Sequence, residues 1–210
     1  MRILCLLGVL AMIGGCATGA PVYDIAMENA TDAVIQVYED ESIAIRFTPG
    51  RDHLAFDLKN KTNGVIEILW DQIIFEDVEG HHHSVLRSGT SYADKDKPQE
   101  PTAVPPKKRI QGEIIPKDHI SKSEKDPGKW ETAPLLLPKG IELIETKSLS
   151  NLVVGKNFTV VIPLIVGGQR QSYPFSFKVI GVSGPSGKGP LQRHGDRIDA
   201  RPTSSGRKVD

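Results

Sequence analysis

Leu54-Ala-Phe-Asp-Leu-Lys-Asn60-Lys-Thr-Asn-Gly64-Val-Ile-Glu-Ile-Leu-Trp70-Asp71 is followed by Gln72-Ile-Ile-Phe-Glu-Asp-Val-Glu-Gly80 and then by His81-His82-His83-Ser-Val-Leu-Arg87. Leu54, Phe56 and Leu58 alternate with Ala55, Asp57 and Lys59, and Ile66, Ile68 and Trp70 alternate with Glu67 and Asp71. A repeat of two places successive side chains on opposite faces, so the stretch predicts strands with one apolar face. Asn63-Gly64 and Glu79-Gly80 supply residues that tolerate positive φ at chain reversals. The simplest expectation is three successive strands joined by tight connections, with Trp70 in the core.

The same alternation extends outward. Val34, Gln36 and Tyr38 predict one strand and Ile43, Ile45 and Phe47 the next, separated by Glu39-Asp40-Glu41 and followed by the turn Thr48-Pro49-Gly50-Arg51-Asp52. Further along, Ile110 to Ile115 reads as a strand stopped by Pro116. Phe158, Val160, Ile162, Leu164 and Val166 share one parity, Gly167-Gly168 reverses the chain, and Tyr173, Phe175, Phe177 and Val179 share one face on the return. Pro163 and Pro174 each remove a ladder donor, so these strands should contain a bulge or lie where the missing donor faces solvent. Short strands at this spacing predict an all-β antiparallel sandwich.

Between the strands lie long polar segments. Ser88 to Lys108 and Ser121 to Pro138 have neither helical nor strand period. Trp130 and Leu135-Leu136-Leu137 are too apolar to hang in water, and are expected to fold back over an open end of the sandwich. Gly140 to Leu149 is compatible with a short helix or a strand. From Ser183 to Asp210 glycine, proline, serine and arginine dominate, a composition that predicts a disordered tail.

At the other terminus, Met1-Arg2 precedes an apolar run, Ile3 to Ile13, too short to span a bilayer. Gly14-Gly15 then offers small residues at a cleavage site, directly before Cys16. Ile13-Gly14-Gly15-Cys16 resembles the lipobox of bacterial lipoproteins, in which the cysteine is alkylated with diacylglycerol and becomes the first mature residue. The resemblance implies a signal peptide over residues 1–15 and a lipidated residue 16; with the strand periodicity and the tail composition this divides the chain into a tether over 16–30, a sandwich domain over 31–182 and the tail over 183–210. Ala17 after the lipidated cysteine resembles the outer-membrane sorting state, which implies a lipid anchor facing the periplasm. Cys5 is lost with the signal, so the mature body holds no disulfide. Diacylglycerol and acyl chains provide the membrane attachment.

The residues Phe56 to Asp71, Phe75 to Gly80, Val104-Pro105-Pro106 and the hairpin ending Phe175-Ser-Phe-Lys-Val179 further resemble uncharacterised bacterial lipoproteins with an immunoglobulin-like domain. The likeness covers roughly Ile43 to Ile180. It implies an immunoglobulin-like β-sandwich in the cell envelope and carries no catalytic residue across.

The chain carries 26 Lys and Arg against 26 Asp and Glu, so no net field draws in nucleic acid, and none is expected as a partner. No nucleophile elbow and no phosphate-binding glycine loop occurs before the tail. His81-His82-His83 offers imidazole, the commonest transition-metal ligand, but on a strand His81 and His83 face one way and His82 the other. Two ligands need a third and fourth from His53, His119 or Asp77. The expectation is an exposed face, with no metal and no cofactor. Asp71 beside Trp70 reads as a carboxylate capping nearby amides. Two functions compete: a non-catalytic, membrane-anchored binding or scaffold module with an envelope protein as partner, and an envelope hydrolase or metal-dependent enzyme using His81, His83 or Asp71. An apolar pocket lined by Trp130 and joined by a buried carboxylate or imidazole would favour the enzyme, and an exposed apolar patch or an unpaired sheet edge the binding module.

Overall fold

The computed structural model describes residues 21–32, 36–124, 126, 129–137 and 146–183. The proposed signal peptide, Cys16 and the tail beyond Ser183 lie outside the described residues.

Thirteen strands and one helix make up the described chain: β1 (Val22–Met27), β2 (Val37–Glu39), β3 (Ile43–Pro49), β4 (Leu54–Asn60), β5 (Ile66–Ile68), β6 (Ile74–Glu76), β7 (His82–Arg87), β8 (Thr102–Val104), β9 (Arg109–Pro116), β10 (Ile120–Lys122), β11 (Trp130–Thr132), α1 (Thr146–Val153), β12 (Asn157–Val166) and β13 (Gln169–Ser183). All pairings are antiparallel, in the order β1-β13-β12-β6-β7-β9-β4-β3-β2, with β5 between β12 and β8 and a separate β10-β11 hairpin. The path folds into two facing layers. Phe47 of β3 meets Phe175 and Phe177 of β13 at ring-centroid distances of 4.9 and 5.1 Å, and Tyr38 of β2 meets Phe175 at 5.4 Å.

One side of the sandwich is closed by β7, which belongs to both layers. Its first half pairs with β6 (Ile74↔Ser84 to Glu76↔His82) and its second half with β9 (Val85↔Pro116 to Arg87↔Ile114). Where β7 leaves β6, the Gln99 side chain replaces a strand: its Oε1 accepts from Arg87 N at 2.8 Å and its Nε2 donates to Val85 O at 2.8 Å. The opposite side is open. Among the described residues β1 is paired only with β13, and β2 covers no more than Ala44–Arg46 of β3, leaving Phe47, Thr48 and Pro49 as edge.

The predicted parities hold in the long strands. Leu54, Phe56 and Leu58 are buried, as are Ile66, Ile68 and Trp70, while Glu67 is exposed. The three-strand meander is corrected. β4 pairs with β3 and β9, whereas β5 pairs with β12 and β8, so the Asn60–Gly64 turn carries the chain from one layer to the other. Fully buried Asn60 holds that crossing: its Nδ2 donates to Gly64 O at 2.8 Å and Val104 O at 2.9 Å, and its Oδ1 accepts from Thr62 N at 2.8 Å. Trp70 is in the core, but in a 3-10 turn (Trp70–Gln72) between β5 and β6 rather than in a strand.

The closing hairpin is as expected, with Val166 opposite Gln169 and positive φ at Gly167 and Gly168. Both prolines sit where a neighbouring strand has stopped. Pro163 O accepts from Leu69 N, so its nitrogen faces the Trp70 turn between β5 and β6. Pro174 O accepts from Asn29 Nδ2 at 2.9 Å, past the end of β1. In an antiparallel strand both polar groups of a residue point to the same neighbour, so neither proline forfeits a bond.

Other expectations change. Val22–Met27 is a strand paired with β13, with Tyr23 and Met27 buried, so these residues belong to the sheet although the sequence shows no sustained period there. The next strand starts at Val37, because Gln36 has φ of 53° and cannot lie in a sheet. Thr102–Val104 and the β10-β11 hairpin interrupt segments predicted as loops. Leu135 and Leu136 do fold back into the core, with Leu135 N donating to Arg51 O at 2.8 Å. Residues 138–145 are outside the described set, and α1 starts at their end, packing Leu149 and Val153 inward.

Candidate functional site

Two regions carry chemistry or an open surface. The first is built on the β6-β7 turn. His83 is the inward-facing residue of β7 opposite Phe75, so the exposed histidine face expected from the sequence is corrected: His81 and His82 are exposed, and His83 is only 8% exposed. A buried imidazole needs partners, and it has two carboxylates. Its Nε2 lies 3.1 Å from Asp77 Oδ2, and its Nδ1 lies 2.9 and 2.8 Å from the two oxygens of Asp118. Asp77 is the organiser of the turn, for its Oδ1 also accepts from Glu79 N at 2.8 Å and His81 N at 2.9 Å. Burial works to raise the Asp77 pKa, but the bonds from His81, His83 and Glu79 outweigh it and hold the carboxyl below its usual range.

Asp118 and His119 come from the 3-10 turn Lys117–His119 that follows β9. The His119 ring stands edge-on to His83 at 5.5 Å. One donor atom from each of His83, Asp118 and His119 falls within 4.8 Å of the others. The fold therefore brings Asp77 and His119 to His83. It leaves His53 elsewhere, where His53 Nδ1 meets Asp52 at 2.9 Å and Thr132 donates to the same carboxylate. Asp118 was missed from the sequence; its only signal was adjacency to His119. Asp71 sits apart, its two oxygens taking Gln99 N at 2.9 Å and Gln99 Nε2 at 3.2 Å. It caps amides, as expected, and thereby holds the Gln99 side chain that completes β7.

The second region is the open side of the sandwich. A cleft of about 780 Å³ lies along it, lined chiefly by Ile25 and Met27 of β1, Phe47 and Pro49 of β3, and Phe177 and Ile180 of β13. Its shape depends on a bulge: Asp24 faces Gly181 and Ile25 faces Val179, so Ile180 is the unpaired residue and turns outward, 52% exposed. Met27 N donates to Gln36 Oε1 at 2.5 Å across the seam. The left-handed Gln36 holds that acceptor in place. Trp130 does not line this cleft. Its ring packs against Tyr92 at 5.8 Å, and Lys122 Nζ lies 5.8 Å from its centroid.

No family model, no curated protein and no solved structure matches the chain.

Proposed function

We propose that this chain is a lipid-anchored protein of the bacterial cell envelope, attached through Cys16 to the outer membrane and facing the periplasm, that binds an extended segment of another envelope protein in the open seam. The observation that carries the reading is the seam itself. An apolar cleft there is flanked on both sides by strand edges, the outer edge of β1 and Phe47–Pro49 of β3. An extended peptide adds backbone hydrogen bonds at such an edge and places alternate side chains in the apolar lining. Exposed Ile180 extends the lining outward. Val22 follows Cys16 by six residues, a reach of about 20 Å at most, so lipidation would hold the seam near the membrane surface. Among the described residues no helix is long and apolar enough to cross a membrane.

The immunoglobulin-like reading is supported by strand order. β3-β4-β9-β7 against β13-β12-β6 follows the four-against-three order of an immunoglobulin constant domain, to which β1, β2, β5 and β8 are additions, and Trp70 is buried just before β6.

Site-specific photocrosslinking in living cells tests the binding reading. A photoreactive residue at Ile180 should yield a discrete adduct with an envelope protein, and one at exposed Val154 after α1 should not. Equal patterns at both positions, or no adduct from Ile180, would refute binding at the seam.

A further inference from the structure

The two carboxylates around His83 set a condition that fixes what can lie between them. Asp77 is committed as an acceptor by the two amide N–H groups on its Oδ1, so His83 Nε2 donates to it. In the neutral ring the lone pair then belongs to Nδ1. That lone pair faces both oxygens of Asp118 at 2.8 and 2.9 Å. A proton shared by Nδ1 and the carboxylate fits that distance, and a metal ion taking its place would hold the two donors about 3.3 Å apart, so the pair opens by about 0.5 Å when an ion replaces the proton.

We propose that His83 Nδ1, the Asp118 carboxylate and His119 form a binding site for a divalent transition cation of the zinc class, with a water completing four ligands and Asp77 orienting His83 from behind. Two imidazoles and one carboxylate with an open position suit zinc. A tetrahedral site asks for about 3.3 Å between donors, and the three donor atoms already lie within 4.8 Å of one another, so a small movement brings them to one ion. That movement falls to the surface turn Lys117–His119, which carries His119 and whose Asp118 side chain is 41% exposed. His83 itself need not move, because β7 and Asp77 already fix its ring. Such a carboxylate behind a ligating histidine sets the tautomer and strengthens the ligand. The charges of Asp77 and Asp118 together balance a divalent cation.

Asp77, Glu79 and His81 form a second cluster of possible donors. It is the weaker candidate: Asp77 is already occupied by Glu79 N, His81 N and His83, and His81 is exposed. The proposal thus separates His83 from its two neighbours in the triple-histidine run. It lies on the closed side of the sandwich and does not depend on what occupies the seam.

The test is titration of the untagged mature protein, after chelator treatment, with Co²⁺ followed by visible absorption, and then displacement by Zn²⁺. One equivalent should bind saturably and produce a tetrahedral-type spectrum. Asp118→Asn and His119→Ala, both on a surface turn, should each weaken binding by at least about 100-fold, and Asp77→Asn by about 10- to 100-fold. The His81→Ala/His82→Ala double variant should retain the spectrum and bind within about threefold of the parent if those residues are not ligands. Absence of saturable binding would mean that a proton fills the gap at Nδ1, and would overturn the proposal. Binding lost in the double variant but kept in Asp118→Asn would overturn it as well.

Discussion

Replacing Trp70 by alanine probes the packing of the two layers most sharply. The indole is 1% exposed, its ring lies 5.9 Å from Phe56, and its Nε1 donates to Thr102 Oγ1 at 2.8 Å. The Arg87 guanidinium lies 5.9 Å from the ring centroid and donates to the same Thr102 hydroxyl at 2.9 Å. Truncation removes the largest buried side chain and leaves a void that β5, β9 and β4 cannot close without breaking register. Deleting a buried large aromatic costs about 3 to 5 kcal/mol, and the added loss of one hydrogen bond places Trp70→Ala near the upper end. Thr102 keeps Arg87 as its donor, so no second polar penalty follows. With a urea dependence of about 2 kcal/mol/M, the midpoint should fall by roughly 2.5 M. Glu67→Ala, on the exposed face of β5 between β12 and β8, should change stability by less than about 0.5 kcal/mol. Urea melts of both variants, read by circular dichroism, decide the matter. If Glu67→Ala is as damaging as Trp70→Ala, the register assigned to β5 is wrong and the reasoning fails.

Asn60→Ala would strip the donor from Val104 O and Gly64 O at the layer crossing; a loss of about 2 to 4 kcal/mol in the same melts is expected, and a neutral result would show that water replaces the side chain. Gly112→Ala would place a methyl 2.6 Å from Phe56 Cζ and 3.0 Å from Trp70 Cη2, so the variant should lose about 1 to 3 kcal/mol through overpacking, although alanine normally suits a strand better than glycine. Asp52 is pushed up by its burial but held below its ordinary value of 3.8 by Thr132 and His53. Its contribution to stability is therefore present above about pH 3.8 and is lost as pH falls through the lower folded value, so Asp52→Asn should flatten the acid limb of the stability profile. An unchanged acid limb would contradict that assignment.

The sequence spelled out what depends on a period of two. Leu54 to Leu58, Ile43 to Phe47 and the β12-β13 hairpin each have at least three alternating apolar residues, and each lies where expected with the expected face inward. Strands of three residues carry too few repeats to register, which is why Thr102–Val104 and Ile120–Lys122 read as loop. The order of pairing was hidden for a different reason. Asn60 sends the chain across the sandwich by bonds to Val104 and Pro105, more than forty residues away, and no local pattern contains those partners. The histidine run misled because exposure alternates along β7 only from where pairing with β6 begins; His83 is inward, and the Asp118 that meets it is thirty-five residues distant. The seam is likewise a product of topology, since it arises from β1 and β2 standing at opposite ends of one continuous path.

The central claim is that a lipid at Cys16 holds this sandwich at a bacterial membrane, and the intact mass of the mature chain isolated from membranes tests it most directly. The account predicts a chain beginning at Cys16 whose excess mass equals a diacylglyceryl group with or without a further acyl chain, and a Cys16→Ser variant that remains an unprocessed, unlipidated precursor. A mature chain with an unmodified cysteine, a start at any other residue, or a Cys16→Ser protein processed and membrane-bound like the parent would contradict it.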